Sequence, residues 1–248
     1  MKKVTYIFSV FGLVMGAGIV AFILLRGVTP EGNSAPANSY SPSVNLEDSD
    51  MISLPEPRQE GHMSLEEALA LRRSIRSYAN VPLSLNEVSQ LLWSAQGITN
   101  EQGFRTAPSA GATFPLEMYM MVNNVEGLER GIYHYNPVNN TLKLKHQKDV
   151  SAELTRASLS QSMVSDAGVV LIFGAVFERT ESRYGERGER YVYNEIGHAG
   201  QNVHLQAAAL DLGTVVIGAY RDDEVEQILQ LSPEVRVLYM MPVGKMNP

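Results

Sequence analysis

The segment LRRSIRSY, from Leu71 to Tyr78, places three arginines and two serines where a helix is expected to give way to extended chain. Alternate residues of an extended chain point the same way, so Ser74 and Arg76 share a side, and Arg72 joins them if the extension starts early. Guanidinium groups beside a hydroxyl suit a phosphate or a polyol, because arginine donates several fixed hydrogen bonds and keeps its charge. A solvated basic turn with surface ion pairs is an equal alternative on these residues alone.

A second segment, APSAGATFP at residues 107–115, places small residues between two prolines. Glycine and alanine let the backbone approach a flat ligand, and exposed N–H groups can donate to it. The segment is not the G-x-S-x-G elbow of serine hydrolases, because Ala107 stands at the first glycine position and Ser109 has no convincing Asp/His partner pattern.

A third segment forms a long predicted helix over 191–212. Glu195 and His198 have the E-x-x-H spacing of di-iron bundles, but that chemistry needs a second such motif and further Glu ligands, which are not evident. We therefore predict no metal site and expect the pair to make local hydrogen bonds. The sequence also has no G-x-G-x-x-G after a strand and no G-x-x-x-x-G-K-[ST], so neither a Rossmann dinucleotide site nor a P-loop is predicted.

These segments belong to a chain in which helices and strands alternate. Two capping boxes, Ser64 with Glu67 and Ser84 with Glu87, begin two helices. Strands are predicted at 117–122, 169–177, 214–217 and 235–241, with a hairpin over 132–135 and 141–145, and further helices at 152–163 and after Asp222. Such a mixture predicts an α+β domain with a mixed central sheet flanked by helices.

The long helix also carries a stripe of small to medium side chains suited to close packing. Its members are Ile196, Gly200, Val203, Ala207 and Leu210.

Composition narrows the function classes. The chain has 248 residues, 44% of them hydrophobic, which is enough for one domain with a core. Its net charge of −7 provides no basic field for nucleic acid. The absence of cysteine excludes disulfides, a thiolate nucleophile and Cys-ligated metal.

The N-terminus predicts a membrane location. Residues 4–25 are uncharged and mostly apolar, about the length that spans a bilayer, so 1–26 is predicted to be a transmembrane anchor, with a signal peptide as the alternative. Lys2 and Lys3 outweigh Arg26, which favours a single-pass protein of the cell membrane with its catalytic domain outside the cytoplasm. Residues 27–62 are predicted to be a disordered linker, and 63–248 the folded domain.

Four motifs in order give the chain a family resemblance over about 63–245. They are RRSIRSY, APSAGATFPLEMY, RYGERGERYVYNEIGHAGQNVHLQAAALDLGTVVIG and YMMPVGK. Together they resemble the FMN-dependent nitroreductase superfamily, in its SagB/ThcOx-like branch. The resemblance implies a nitroreductase-like fold with FMN at a homodimer interface, and a long helix in the dimer core whose small and polar residues face the flavin and the partner subunit.

The resemblance also implies roles for individual residues. Arg72, Ser74 and Arg76, with Arg73 beside them, would contact the FMN phosphate, ribityl chain and ring edge. Pro108, Ser109, Ala110 and Gly111 would line the isoalloxazine, contributed in part by the partner subunit. Val216, Ile217 and Gly218 would approach flavin N5, and Lys245 stands where a basic residue could reach the phosphate.

The charged stretch over 178–190 alternates four arginines with four glutamates around two glycines. One interpretation is a self-neutralising surface loop. The other is a mobile rim over the flavin, in which Tyr184 is a catalytic proton donor, since a phenol with a pKa near 10 can donate at neutral pH.

One departure from the branch bears on its chemistry. The azoline dehydrogenases of this branch carry a Lys-Tyr pair, whereas this chain has Arg183-Tyr184, and arginine holds its proton too tightly to act as a base.

The function expected is therefore an FMN oxidoreductase that transfers hydride between flavin N5 and a small organic substrate, either a nitroaromatic, a quinone, a heterocycle or a halogenated aromatic. A reduced nicotinamide is a candidate electron donor. The alternatives are a non-catalytic flavin-binding protein that retains the fold and a SagB-like azoline dehydrogenase.

Overall fold

The computed structural model describes residues 51–247, which build a seven-stranded sheet. The strands are β1 (Met51–Ser53), β2 (Leu116–Val122), β3 (Gly131–Asn136), β4 (Thr141–His146), β5 (Val169–Ala175), β6 (Leu212–Thr214) and β7 (Arg236–Lys245). Their order across the sheet is β1-β4-β3-β2-β5-β7-β6, with antiparallel pairing between these strands. Ser74 adds a parallel bridge to Thr214 at the β6 edge, so the sheet is mixed there.

Helices cover both faces of the sheet. They are α1 (Leu65–Leu71), α2 (Leu85–Gln96), α3 (Ser151–Ala157), α4 (Met163–Asp166), α5 (Glu178–Tyr184), α6 (Arg187–Ala209) and α7 (Asp222–Leu229). The predicted α+β class, with a central sheet between helices, is confirmed. Both predicted capping boxes form: Glu67 N donates to Ser64 Oγ at 3.1 Å, and Glu87 N donates to Ser84 Oγ at 3.3 Å.

Strand β5 explains why the protein has two cores. Alternate side chains of a strand point to opposite faces. Leu171 and Phe173 pack with α2 and α6 on one face, while Val170 and Ile172 pack with α3, α4 and α7 on the other. All seven residues of β5 are buried, which is why this strand has no polar alternation in the sequence.

Strand β1 lies within the segment predicted to be a disordered linker. Met51–Ser53 pairs with Thr141–Lys143 of β4, and the next residue, Leu54, is buried. The ordered part of the described chain therefore begins before Met63, because the sheet edge offers these residues backbone partners.

One helix prediction and one loop prediction were wrong. The helix predicted over 152–163 is split into α3 and α4, with Leu159 and Ser160 in the left-handed region at φ 55° and 60°. The charged stretch over 178–190, predicted to be a loop, instead forms α5 and the start of α6. A Cβ placed on Gly188 would come within 2.8 Å of the backbone of Glu181, so glycine here permits the two helices to pack closely.

The predicted location in the cell membrane is contradicted. Among residues 51–247, no helix is both long enough and apolar enough to cross a bilayer. The 23-residue helix α6 has the length, but it carries charged residues such as Arg187, Arg190 and Glu195. The predicted anchor at 1–26 and its orientation lie outside the described residues.

Candidate functional site

The arginine-rich segment lies along the β6 edge of the sheet. Helix α1 ends at Leu71, after which Ile75 N donates to Thr214 O at 2.9 Å. Tyr78 pins the end of the segment, since its hydroxyl donates to Pro242 O at 3.1 Å. A Cβ on Gly213 would come within 2.7 Å of Ile75, so the glycine allows this close approach.

The side chains that were predicted to hold the cofactor mostly face outwards from this segment. Arg73, Ser74 and Arg76 are exposed, and Arg72 is half-buried. Arg73 donates to Ala70 O and Arg72 O at 2.9 and 2.8 Å, which turns it back over the end of α1.

A second predicted set, Val216 to Gly218, begins two residues after the end of β6. Ile217 is buried and exchanges backbone hydrogen bonds with Met240 at 2.7 and 3.0 Å. Gly218 is exposed, and a Cβ placed there would meet no atom within 4 Å. The arginine-rich segment and Val216–Gly218 both adjoin β6. The structure therefore brings Ser74 and Arg76 to the same sheet edge as Val216–Gly218.

Lys245 lies on the neighbouring strand β7, but its ammonium group is already paired with a carboxylate. Its ammonium group forms an ion pair with Glu87 at the start of α2. Burial raises the pKa of Glu87, yet the hydrogen bonds from Lys245 and Ser84 outweigh burial and hold that pKa below its usual value. Contact between Lys245 and a phosphate would therefore compete with this pair.

The loop predicted to line the isoalloxazine packs against α5 and the first half of α6. Pro108 and Ser109 lead into a 3-10 turn over Ala110–Ala112, in which Gly111 has a φ of 59°. Phe114 N donates to Ser109 Oγ at 2.9 Å, which closes the turn.

Tyr184 and its neighbour meet this loop within the same chain. Arg183 Nη1 donates to Gly111 O at 2.9 Å, and a Cβ on Gly111 would clash with Tyr184 Oη. Tyr184 is half-buried, with its ring edge-on to Tyr191 at 5.1 Å between centroids. The structure thus brings together Gly111 and Tyr184, two residues that are far apart in the sequence.

Within one chain, the arginine segment and the loop that contains Ser109 contact different parts of helix α6. Near its C-terminal end, His204 is close enough to Arg72 for the arginine to act on it, whereas Glu195, nine residues earlier, lies beside Ser109. Nine helical residues span roughly 13 Å. The arginine segment and the Ser109 loop therefore approach α6 at different points.

His204 is a buried neutral group next to the arginine segment. It is 8% exposed, and its Nδ1 has no hydrogen-bond partner among the described residues. Burial, and to a lesser extent the charge of Arg72, lowers the pKa of His204 to about 4. It adds no positive charge at neutral pH.

In the sequence, Glu195 was identified only as half of an E-x-x-H pair expected to make local hydrogen bonds, and the burial of this acid was missed. It is 2% exposed, between Val192 and Ala199 on the buried face of α6, while His198 is exposed. Burial raises the pKa of Glu195 to about 7, partly offset by Ser109 and Arg105. The available signal was an acid three residues after Val192 and one before Ile196, where helical periodicity predicts an apolar side chain.

The small-residue stripe packs against the chain's own sheet. A Cβ on Gly200 would lie 3.5 Å from the ring of Tyr239 and 3.8 Å from Met241, both on β7. The expectation that the stripe faces the partner subunit was wrong for Gly200, because β7 covers that position.

A cavity of about 440 Å³ opens beside Gly218. Tyr193 and Tyr220 contribute aromatic surface to its wall, and Asp222 and Glu226 contribute carboxylates. It is large enough for a small organic molecule next to the segment that follows β6.

Comparison with known proteins identifies the family. The nitroreductase family model matches residues 69–245, which contain each of the predicted sets. A Methanocaldococcus jannaschii protein named as a nitroreductase is 46% identical over 183 residues, covering 74% of this chain and 91% of that protein. The microcin B17-processing protein McbC of Escherichia coli is 27% identical over 161 residues, covering 60% of this chain and 57% of McbC.

A solved structure has the same fold. A Ralstonia eutropha protein described as a nitroreductase superposes with a TM-score of 0.67 at 27% identity, covering 82% of this chain and 93% of that one. The chain belongs to the nitroreductase family of oxidoreductases. The similarity to McbC supports its place in the SagB-like branch, which confirms the resemblance found in the sequence.

Proposed function

We propose that this protein is an FMN-dependent oxidoreductase that acts as a homodimer and transfers hydride between flavin N5 and a small organic substrate. The observation that carries the proposal is the placement of the Arg72–Arg76 segment and Val216–Gly218 on one sheet edge, in a chain of this family. A quinone, a nitroaromatic, a heterocycle or a halogenated aromatic would suit the size of the cavity beside Gly218.

The residues at this edge fit FMN. Ser74 and Arg76 are exposed and free to turn towards a phosphate, and the open space at Gly218 leaves its backbone accessible to a flat ring. Bound FMN would supply the two-electron chemistry. In this proposal Arg72, Ser74 and Arg76 bind the phosphate and ribityl chain, and Val216–Gly218 orients the ring.

A second copy of the chain would complete the site. The loop Pro108–Gly111 approaches α6 away from the arginine segment of its own chain, so we infer that it faces the flavin of the partner subunit. Exposed apolar side chains on α1 support such an interface: Leu65 and Leu69 are 60% and 52% exposed. Leu65 lines a groove of about 320 Å³ between α1, α2 and α6, which a partner would cover.

The protein should purify as a yellow homodimer. We expect a visible flavin spectrum that is released as FMN on denaturation, and twice the chain mass by light scattering. Both follow from a site divided between two subunits. A well-folded, colourless monomer that ignores added FMN would contradict the proposal.

Replacing Arg76 should weaken FMN binding. Loss of a charged hydrogen bond costs roughly 1.5–3 kcal/mol, so Arg76→Ala is expected to raise the Kd for FMN by roughly ten- to 150-fold. Flavin fluorescence quenching measures the change. Arg130→Ala is the matched control, since Arg130 forms an exposed pair with Asp149 away from this edge. Equal affinities for the parent and Arg76→Ala would remove Arg76 from the site.

The similarity to McbC favours azoline dehydrogenation as a second candidate function. Against it stands Arg183, whose guanidinium already donates to Gly111 O and cannot act as a base near neutral pH. An azoline-containing peptide belongs in the same substrate screen as quinones and nitroaromatics. Its rapid oxidation by the protein would favour this second function.

A further inference from the structure

Helix α5 contacts the loop over 107–115 with two arginines that are one helical turn apart. Arg179 Nη1 donates to Phe114 O at 3.0 Å, and Arg183 Nη1 donates to Gly111 O at 2.9 Å. Residues four apart lie on the same face of a helix, so both guanidinium groups reach the loop from one side. The loop is therefore bonded to α5 at two of its carbonyl groups.

The two carbonyl groups that accept these bonds belong to residues with a left-handed backbone. The angle φ is 59° at Gly111 and 45° at Phe114, and Ala112 between them has a φ of 54°. This conformation is unfavourable for a residue with a Cβ, and it persists only where the surrounding structure holds it. Two non-glycine residues of the loop thus depend on contacts from outside the turn to keep their conformation.

Phe114 is held at its N–H, at its ring and at its carbonyl group. Its N–H donates to Ser109 Oγ at 2.9 Å, and the guanidinium of Arg105 stacks on its ring at 4.3 Å from the ring centre. Its carbonyl O accepts from Arg179, whose other terminal nitrogen, Nη2, pairs with Glu117 on β2. One guanidinium group therefore joins the loop to the central sheet.

Helix α5 is a fixed support for these contacts. The hydroxyl oxygens of Thr180 and Thr113 lie 2.8 Å apart, and Thr180 is only 1% exposed. Gly188 packs against the backbone of Glu181, which holds α5 close to α6. The same helix carries Tyr184, whose hydroxyl lies at the loop. The helix thereby holds the loop and the tyrosine in one arrangement.

We propose that Arg179 and Arg183 are positioning residues that hold the loop over 107–115 in its left-handed conformation on α5. Each bond is exposed to water and contributes little alone, so the loop depends on both. The functional meaning rests on the proposed function, because this is the loop assigned to the isoalloxazine of the partner subunit. The two arginines would then orient the surface that this flavin meets.

Hydrogen exchange of the full-length protein tests the positioning without FMN. Methionine keeps a long side chain but has no donor. Exchange in peptides covering 107–115 should be about threefold faster in Arg179→Met and in Arg183→Met, and about tenfold faster in the double variant. Strands β2 and β5 should keep their protection. Arg130→Met is the matched control, since it removes an exposed arginine that is bonded to Asp149 and not to the loop. Its loop should exchange at the parent rate.

Two results of this experiment would overturn the inference. One is exchange of the loop at the parent rate in the double variant. The other is an equal rise in exchange for the loop, β2 and β5, which would mean that the two arginines stabilise the domain as a whole.

The visible circular dichroism of bound FMN separates positioning from a general effect on stability, because this signal depends on the groups around the ring. We expect a changed spectrum in the double variant and the parent spectrum in Arg130→Met. An unchanged spectrum in spite of a loosened loop would overturn the role of the two arginines at the flavin. If no form binds FMN while the loop loosens as expected, the proposed function fails and the positioning of the loop by α5 stands.

Discussion

Replacing Tyr184 by phenylalanine should lower turnover by roughly 100-fold or more while leaving FMN binding intact. Hydride transfer to a nitro or carbonyl-like acceptor leaves an oxygen that needs a proton, and a phenol keeps its proton at neutral pH and can donate it. Tyr184 is half-buried with its hydroxyl at Gly111, in the loop that we infer to face the flavin of the partner subunit. The reoxidation rate of the reduced flavoprotein measures the effect, once a screen of quinones, nitroaromatics and halophenols has found a substrate.

Tyr191→Phe is the matched control, since Tyr191 packs edge-on against Tyr184 and loses the same hydroxyl group. It should reoxidise at the parent rate. If the Tyr184→Phe protein also reoxidises at the parent rate, the hydroxyl of Tyr184 does not contribute to that rate. The tyrosine would then have no role in proton transfer.

Glu195→Gln should change how stability depends on pH, which makes it the second large effect. The pKa of Glu195 is raised from 4.5 to about 7, chiefly by burial. Between these values the folded protein holds a proton that the unfolded chain has released, so this group's contribution to the free energy of unfolding falls as pH rises through that window. The two values differ by about 2.5, which at 1.36 kcal/mol for each pH unit corresponds to about 3 kcal/mol.

Glutamine stays neutral, so the variant escapes this loss. From pH 4 to pH 8, its free energy of unfolding should rise by about 3 kcal/mol relative to that of the parent. Urea unfolding of the full-length protein at several pH values measures the difference. Glu189→Gln, an exposed acid on the same helix, should follow the parent. Parallel pH curves for Glu195→Gln and the parent would mean that Glu195 ionises in the folded state much as it does in the unfolded chain.

The elements that could be predicted from the sequence are those that local rules decide. Two capping boxes began α1 and α2 as expected, because a serine and a glutamate three residues later satisfy each other's backbone groups without help from the rest of the chain. The buried strand β5 and the hairpin β3–β4 could likewise be predicted from apolar runs and turn residues. The four ordered motifs sufficed for the family.

Only the tertiary structure decided which polar groups are desolvated by burial or by pairing with other residues. Lys245 has a free charge in the sequence but pairs with Glu87, 158 residues away, where the end of β7 meets the start of α2. Gly200 has no side chain and so permits close packing against any neighbouring element, and in the structure that neighbour is β7. Glu195 was one acid among many on a charged helix until Val192, Ala199 and the Ser109 loop enclosed it. Desolvation depends on contacts between residues distant in the chain, and for that reason local patterns did not predict the protonation state of Glu195.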